Sequence, residues 1–186
     1  MENDNDKDDK NNPQNIKIWS SEISKTNVIV VDKAIDLVKQ YQSNFFVGVE
    51  AIIVETNGDA LTKGFVTNKY DSQHGDESKI IHIIVAPNQQ DAENKLKSDG
   101  CSEQDCKQLL DEATAIVIAE TITHEKGHVD DKLKGGETPA ENEEHKFKTF
   151  FDNKWSEMMK KAKKAFLSFN QVIKLAGIFD KITKQL

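Results

Sequence analysis

The segment SEQDCKQLLDEATAIVIAETITHEKGHVDDKLKGG, residues 102–136, decides the fold of this chain. Ser102 precedes Asp105 by three residues, a spacing close to the capping box with which many helices begin. The segment contains no proline, and its first glycine is Gly127. The double glycine Gly135-Gly136 is a strong C-terminal helix breaker. The pattern therefore predicts one long helix that ends at this double glycine.

The apolar residues of this helix recur with helical spacing. They occupy positions 109, 110, 113, 116 and 117. The same stripe continues through His124 and His128, so both histidines are expected on the packed face of the helix. Polar groups at core positions are costly unless something binds them. The pattern therefore indicates that the two histidines hold a ligand.

A second helix is predicted directly after the double glycine. Thr138 is its N-cap, Pro139 its first residue, and Glu141 completes a capping box. Its apolar stripe consists of Ala140, Phe147, Phe151, Trp155, Met158 and Ala162. Because only a short turn separates the two helices, the second is expected to fold back against the first.

Several carboxylates lie near the start of this second helix. Glu144 falls inside the apolar stripe, where the pattern asks for a leucine. Glu143 lies further round, near the edge of the stripe, whereas Glu141 and His145 point away from it. A carboxylate in the packed stripe is expected to meet the two histidines across the helix pair, and Glu144 is the first candidate.

Residues 124–128 read His-Glu-Lys-Gly-His, an HExxH sequence. Residues four apart lie on one face of a helix, so both imidazoles can reach a single Zn²⁺. Glu125 is rotated by about 100° and lies beside the metal, where it can take a proton from water. A catalytic zinc has three protein ligands, so the third must come from elsewhere. Glu144 is the expected third ligand, with Glu143 as its rival and Glu141 also in competition.

This arrangement resembles the gluzincin branch of the zinc metallopeptidases, in which HExxH lies on one helix and a glutamate ligand on the next. The resemblance covers residues 103 to about 155 and implies hydrolysis of a peptide or protein substrate. It implies that His124, His128 and Glu144 bind Zn²⁺ and that Glu125 is the general base for attack of water on the peptide carbonyl. A sheet edge next to the cleft would hold the extended substrate by strand addition.

Other residues are expected to support such a site. Glu120 and Asp131 lie one turn to either side of the histidine pair and are candidate acceptors for the imidazole N–H groups. His145 is the downstream candidate for support of the oxyanion. His82, which lies within the apolar run IIHIIV, is instead expected to be a packed or hydrogen-bonded strand histidine.

The first third of the chain predicts a helix followed by strands. Residues 26–42 have helical spacing, although their VIVV run also suits the start of a strand. Residues 44–56 predict a strand. Asn57-Gly58-Asp59 then predicts a turn into a hairpin whose second strand is residues 61–67.

The next segments complete the expected sheet. Residues 67–78 have the composition of a loop, and residues 79–88 predict a strand that Pro87 stops. The resulting fold class is α+β. We expect a zincin-like fold, with a small mainly antiparallel sheet, a backing helix, a long active-site helix and C-terminal helices.

The ends of the chain differ in charge from the middle. Residues 1–15 are acidic and polar and are expected to be a disordered tail. Residues 16–153 are expected to form the zincin-like domain. Residues 154–186 carry eight lysines against two acids and an apolar face, which predicts a basic amphipathic helical segment packed on that domain.

Composition excludes several classes of protein. The net charge of −7 disfavours a general nucleic-acid binder. No apolar run is long enough for a transmembrane helix, and no secretory signal is visible, so a cytoplasmic protein is expected, with a virion or unconventional export as alternatives. Cys101 and Cys106 are the two cysteines, which excludes a zinc site made of four.

A second interpretation comes from a different class of function. The zincin scaffold would then be a non-catalytic, metal-stabilised interaction module. Its basic residues 154–186 would dock on an acidic protein partner or on a membrane surface.

Overall fold

The computed structural model describes residues 17–20, 24–55, 61–71, 76–130 and 147–165. In chain order the elements are β1 (Lys17–Ser20), α1 (Lys25–Tyr41), β2 (Val49–Glu55), β3 (Gly64–Asp71), β4 (Asp76–Ile84), α2 (Val85–Ser98) and α3 (Glu103–Asp130). Residues 147–165 are helical and are called α4. The described part of the chain is therefore α+β, as predicted.

The four strands form one mixed sheet with the order β1-β2-β4-β3. Strand β2 pairs in parallel with both β1 and β4, and only β3 pairs antiparallel, with β4. The prediction of a mainly antiparallel sheet was therefore wrong. The predicted hairpin between residues 44–56 and 61–67 was also wrong, because β4 lies between β2 and β3. Strand β4 is apolar on both faces, and such strands take central positions.

The predicted strand boundaries also need correction. Residues 67–71 and 76–78 belong to β3 and β4, so most of the predicted loop is strand. Pro87 does not stop a strand. It lies in the first turn of α2, where the backbone N–H that proline lacks would have no partner within the helix. Helix α2 was not predicted from the sequence, although its buried residues have helical spacing. These residues are Val85, Asn88, Ala92 and Leu96.

Helix α1 confirms the helical interpretation of residues 26–42 and rules out the strand. The hydroxyl of its N-cap, Ser24, accepts a hydrogen bond from the backbone N–H of Asn27 at 3.2 Å. The helix buries one apolar face made of Val30, Val31, Ala34, Ile35 and Val38. This face packs against α3.

Helix α3 is the central element of the core. Its predicted start is confirmed, since the hydroxyl of Ser102 accepts a hydrogen bond from the N–H of Asp105 at 3.2 Å. The predicted end at Gly135-Gly136 lies outside the described residues. The helix contacts α1, α2, β3 and β4, and between residues 113 and 129 it is buried except at positions 120, 124 and 128. His124 and His128 therefore do not continue a buried stripe. They lie on the partly exposed face of a helix that is otherwise enclosed.

Helix α4 confirms four of the five described positions of the predicted apolar stripe, whereas Ala162 is only partly buried. The buried residues are Phe147, Phe151, Trp155 and Met158. The indole N–H of Trp155 donates to Oδ2 of Asp99 at 2.7 Å, and Nζ of Lys95 lies 4.3 Å from the Trp155 ring centroid. These contacts tie α4 to the end of α2. Helix α4 continues through residue 154, where the sequence analysis placed the boundary between the domain and its basic segment. The predicted tail of residues 1–15 and the predicted N-cap of the second helix lie outside the described residues.

Candidate metal centre

His124 and His128 are brought together on the partly exposed face of α3. Their ring centroids lie 5.1 Å apart, and the two ring planes are inclined at 80°. Two imidazoles bound tetrahedrally to one Zn²⁺ at the usual Zn–N distance place their centroids roughly 5 Å apart. The centroid separation therefore matches that of two imidazoles on one Zn²⁺, and it is also typical of neighbours four apart on a helix.

Glu125 lies beside the histidine pair, beneath strand β3. Its side chain is 6% exposed, and it lines the same cleft as His124. Gly64, the first residue of β3, makes this position possible. A Cβ on residue 64 would lie 2.9 Å from Cγ2 of Thr121, 3.0 Å from the carbonyl oxygen of His82 and 3.1 Å from Cγ of Glu125. Only glycine therefore lets the strand backbone approach α3 this closely.

A buried polar cluster holds the start of β3 against α3. Asn88 of α2 donates from its amide nitrogen to the carbonyl oxygens of Lys63 (2.9 Å) and Ile84 (2.8 Å). Its amide oxygen accepts from the hydroxyl of Thr121 at 2.6 Å. Three segments that are distant in the sequence thus meet at one side chain.

The cleft between β3 and α3 has a volume of about 330 Å³. Its walls are Leu61, Thr62, Lys63, Gly64, Val117, Glu120, Thr121, His124 and Glu125. Each charged residue on its rim pairs with α2: Nζ of Lys63 lies 2.5 Å from Oδ2 of Asp91, and Nζ of Lys95 lies 3.8 Å from Oε1 of Glu120. The cleft is thus large enough for an amino-acid side chain and has rim charges of both signs.

The sequence predicted some of these residues and not others. His124, Glu125 and Glu120 line the cleft, whereas His128 is not among its lining residues. Gly64 and Thr121 were not singled out, although a glycine at the start of a strand is a signal of close backbone approach. Asn88 gives no sequence signal, because its role depends on contacts with β3 and α3.

Lys126, the third residue of HEKGH, does not line the cleft. It is 6% exposed, and its Nζ lies 5.7 Å from the ring centroid of Phe45. The aliphatic stem of a lysine can pack in a core while the ring attracts its charge. Lys126 therefore belongs to the packing between α3 and the segment that leads into β2.

The remaining predicted site residues lie outside the described residues. They are Asp131, Glu141, Glu143, Glu144 and His145. Within the described ranges no group of three or more His, Cys, Asp or Glu side chains could hold a metal ion. The described part of the candidate centre thus consists of two imidazoles and an adjacent carboxylate, and the predicted third ligand stays a prediction.

His82 confirms the prediction of a hydrogen-bonded strand histidine. Its Nδ1 lies 2.6 Å from Oε1 of Glu55, and its Nε2 lies 2.8 Å from Oγ1 of Thr67. The ring of Phe65 stacks on the imidazole with centroids 4.3 Å apart. Adjacent residues of a strand point to opposite faces, so His82 and Phe65 lie on the sheet face opposite the one that Gly64 turns toward α3.

The two cysteines are free; Cys106 lies about five helical turns before His124 on α3, and Cys101 precedes the helix. Cys106 is buried and Cys101 is partly exposed. Burial raises the pKa of the Cys101 thiol, and the neighbouring Cys106 raises it further. The Cys101 thiol therefore stays protonated at neutral pH.

The chain matches no protein-family model, no curated protein and no solved structure. In the part of the chain that the structure describes, no helix combines the length and apolar character needed to cross a bilayer.

Proposed function

We propose that this chain hydrolyses peptide bonds with the help of a bound zinc ion. His124 and His128 supply two ligands, and Glu144 supplies the third, with Glu143 and Glu141 as alternatives. Glu125 is the general base. The observation that carries the proposal is the pair of imidazoles with centroids 5.1 Å apart, beside a buried carboxylate, on the open face of an otherwise enclosed helix.

A zinc ion held by His124, His128 and Glu144 would supply a Lewis acid that lowers the pKa of a water molecule and polarises the peptide carbonyl. Glu125 lies next to His124 at the floor of the cleft, so its carboxylate can accept a proton from that water and pass it to the leaving amine. Burial beneath β3 keeps bulk water away from this carboxylate, which strengthens its interaction with nearby charge.

Strand β3 gives the substrate a place to bind. It is the edge strand of the sheet on the side of the cleft, so its outer backbone groups can pair with an extended peptide. The cleft would then accept one side chain of that peptide. Peptide recognition would thus come mainly from the backbone, with one pocket that adds preference.

Glu125→Gln tests this proposal directly. The amide keeps the shape of the side chain but cannot act as a base. We expect zinc content equal to that of the parent and a loss of peptide cleavage of about 100-fold or more. Zinc is measured by elemental analysis after purification without added metal, and cleavage with a mixed peptide library.

Glu112→Gln is the matched control, because it makes the same change on an exposed position of the same helix. It should retain both zinc and cleavage. Cleavage by Glu125→Gln at the rate of the parent would overturn the mechanism. A parent that binds zinc but cleaves no peptide would favour the interaction module.

The interaction module has one observation in its favour. Helix α4 ends in four exposed lysines at positions 160, 161, 163 and 164. Their charge would attract an anionic surface. This candidate function predicts salt-sensitive sedimentation with vesicles that contain phosphatidylserine. Conversion of the four lysines to glutamine should abolish it, whereas Glu125→Gln should not change it.

A further inference from the structure

Asn88 is the most deeply buried polar side chain near the cleft, with 0% exposure. Its amide group makes three hydrogen bonds of 2.6–2.9 Å, to the carbonyls of Lys63 and Ile84 and to the hydroxyl of Thr121. An amide has two donor hydrogens and an acceptor oxygen, so both of its ends are engaged. A buried side chain with this many partners fixes the relative positions of the groups that it contacts.

The partners of Asn88 lie on the two walls of the cleft. Lys63 directly precedes Gly64, where β3 begins. Thr121 lies one helical turn before Glu125 on α3. Asn88 itself lies on α2, outside the cleft lining. It therefore joins β3 to α3, the helix that carries the histidines, without lining the cleft itself.

Pairing with β4 and close contact at Gly64 both help to position β3, and Asn88 adds a direct link between the two walls. At Gly64 there is no side chain to act as a spacer, and the strand backbone faces Thr121 and Glu125 directly. The hydrogen bonds of Asn88 hold the strand at this distance, because they fix the Lys63 carbonyl on one side and the Thr121 hydroxyl on the other. The carbonyl of Lys63 also accepts from the N–H of Ile84 at 2.9 Å, which ties the same point to β4.

We infer that Asn88 is a positioning residue that fixes the start of β3 above Glu125 and so sets the register of a peptide bound along this edge. The inference rests on the proposed function for its catalytic consequence. Its structural part, the anchoring of β3, can be tested without any activity.

Thr121→Val is the sharpest variant. Valine has nearly the shape of threonine but lacks the hydroxyl, so it removes the contact with Asn88 and preserves the packing beside Gly64. Thr121→Ser keeps the hydroxyl. Asn88→Ala, which removes all three hydrogen bonds, is a second variant, and Thr121→Val serves if that protein does not fold.

Thr114→Val is the matched control. Thr114 is buried on the same helix, and its hydroxyl donates to the carbonyl of Leu110 at 2.6 Å. The variant therefore also deletes a buried hydroxyl from α3, but it does not affect a link to β3.

Amide hydrogen exchange is the first measurement. In Thr121→Val, those amides of residues 64–67 that pair with β4 should exchange roughly tenfold faster than in the parent, the equivalent of one lost hydrogen bond. Those of β2 should not change. Thr121→Ser and Thr114→Val should leave residues 64–67 at the rate of the parent. Unchanged exchange of these residues in both Thr121→Val and Asn88→Ala would overturn the inference, whether or not the chain cleaves peptides.

Kinetics give the second measurement. Thr121→Val should raise KM more for peptides that extend along β3 than for a dipeptide amide, with zinc content equal to that of the parent. A uniform loss for all lengths would mean that Asn88 only stabilises the fold, and would overturn the positioning role. If the parent cleaves nothing while Thr121→Val still loosens residues 64–67, the proposed function fails and the anchoring stands.

Discussion

His82 and the His124–His128 pair lie on opposite faces of one sheet and have contrasting surroundings. Both ring nitrogens of His82 lie within hydrogen-bonding distance of side chains of the sheet, and Phe65 covers its ring. The rings of His124 and His128 instead lie edge to face with each other, and His124 lines a cleft. A histidine whose nitrogens both serve the fold must give up one such contact to bind a metal. The proposed metal site uses the His124–His128 pair, which lies on the partly exposed face of α3.

The largest expected effect separates the two sites by metal affinity. His124→Ala and His128→Ala should each weaken zinc binding by more than about 100-fold, because loss of even an outer-shell partner costs up to that amount. His82→Leu should leave zinc affinity at the value of the parent. Competition with a chromophoric chelator measures all three. If the His82→Leu and His124→Ala proteins bound zinc with equal affinity, the surroundings of the two histidine sites would not predict which of them binds the metal.

The second prediction concerns the strand between the two sites. Gly64→Ala should lower the free energy of unfolding by about 1–3 kcal/mol, because the new methyl group would overlap Thr121, the His82 carbonyl and Glu125. Urea denaturation measures this loss. The double variant with Thr121→Ser should recover part of it, since serine lacks the methyl group that lies nearest. No recovery would place the strain at the His82 carbonyl instead.

The third prediction concerns the sheet face of His82. His82→Leu leaves Glu55 and Thr67 without their shared partner, so it should lower the free energy of unfolding by about 1–2 kcal/mol. Thermal or urea unfolding of the metal-free protein provides the measurement. An unchanged unfolding free energy would show that solvent replaces these contacts at no cost.

The smallest effect is expected for Thr67→Val. This variant removes one hydrogen bond from the His82 cluster and leaves the Glu55 contact in place, at a cost of about 0.5–1 kcal/mol. It also frees β3 on the face away from α3, so hydrogen exchange should accelerate near residue 67 more than near residue 64. Uniform acceleration along β3 would indicate that the strand opens as one unit.

Local patterns predicted α1, α3 and α4 but missed α2. The Ser102 cap, the run without proline and the apolar spacing gave α3 its start, and Phe147, Phe151 and Trp155 gave the packed face of α4. These signals depend on residues within a few turns of one another, so a single sequence contains all of the relevant information.

The order of the strands could not be predicted in the same way. Asn57-Gly58-Asp59 favours a local hairpin, but β2 pairs in parallel with β4 instead. Pairing between distant strands depends on the packing of the whole core. The turn signal was therefore outweighed by the central position of β4.

The residues of the candidate site likewise differ in whether the local sequence reveals them. The HExxH spacing identified His124, Glu125 and His128 because all three lie on one helix. Gly64, Asn88 and Thr121 shape the cleft from three separate elements, so nothing in their local sequence reveals the contact. The same non-local dependence applies to the choice among Glu141, Glu143 and Glu144.

The enclosure of α3 restricts how this protein can diversify. Almost every substitution in the middle turns of α3 disturbs packing on several sides at once. The proposed site residues on this helix are therefore difficult to replace without loss of stability. Residues 61–63 at the cleft rim face no such restriction, because they form a loop at the surface. New preferences for bound molecules would therefore arise in that loop, while the inherited helix stays the same.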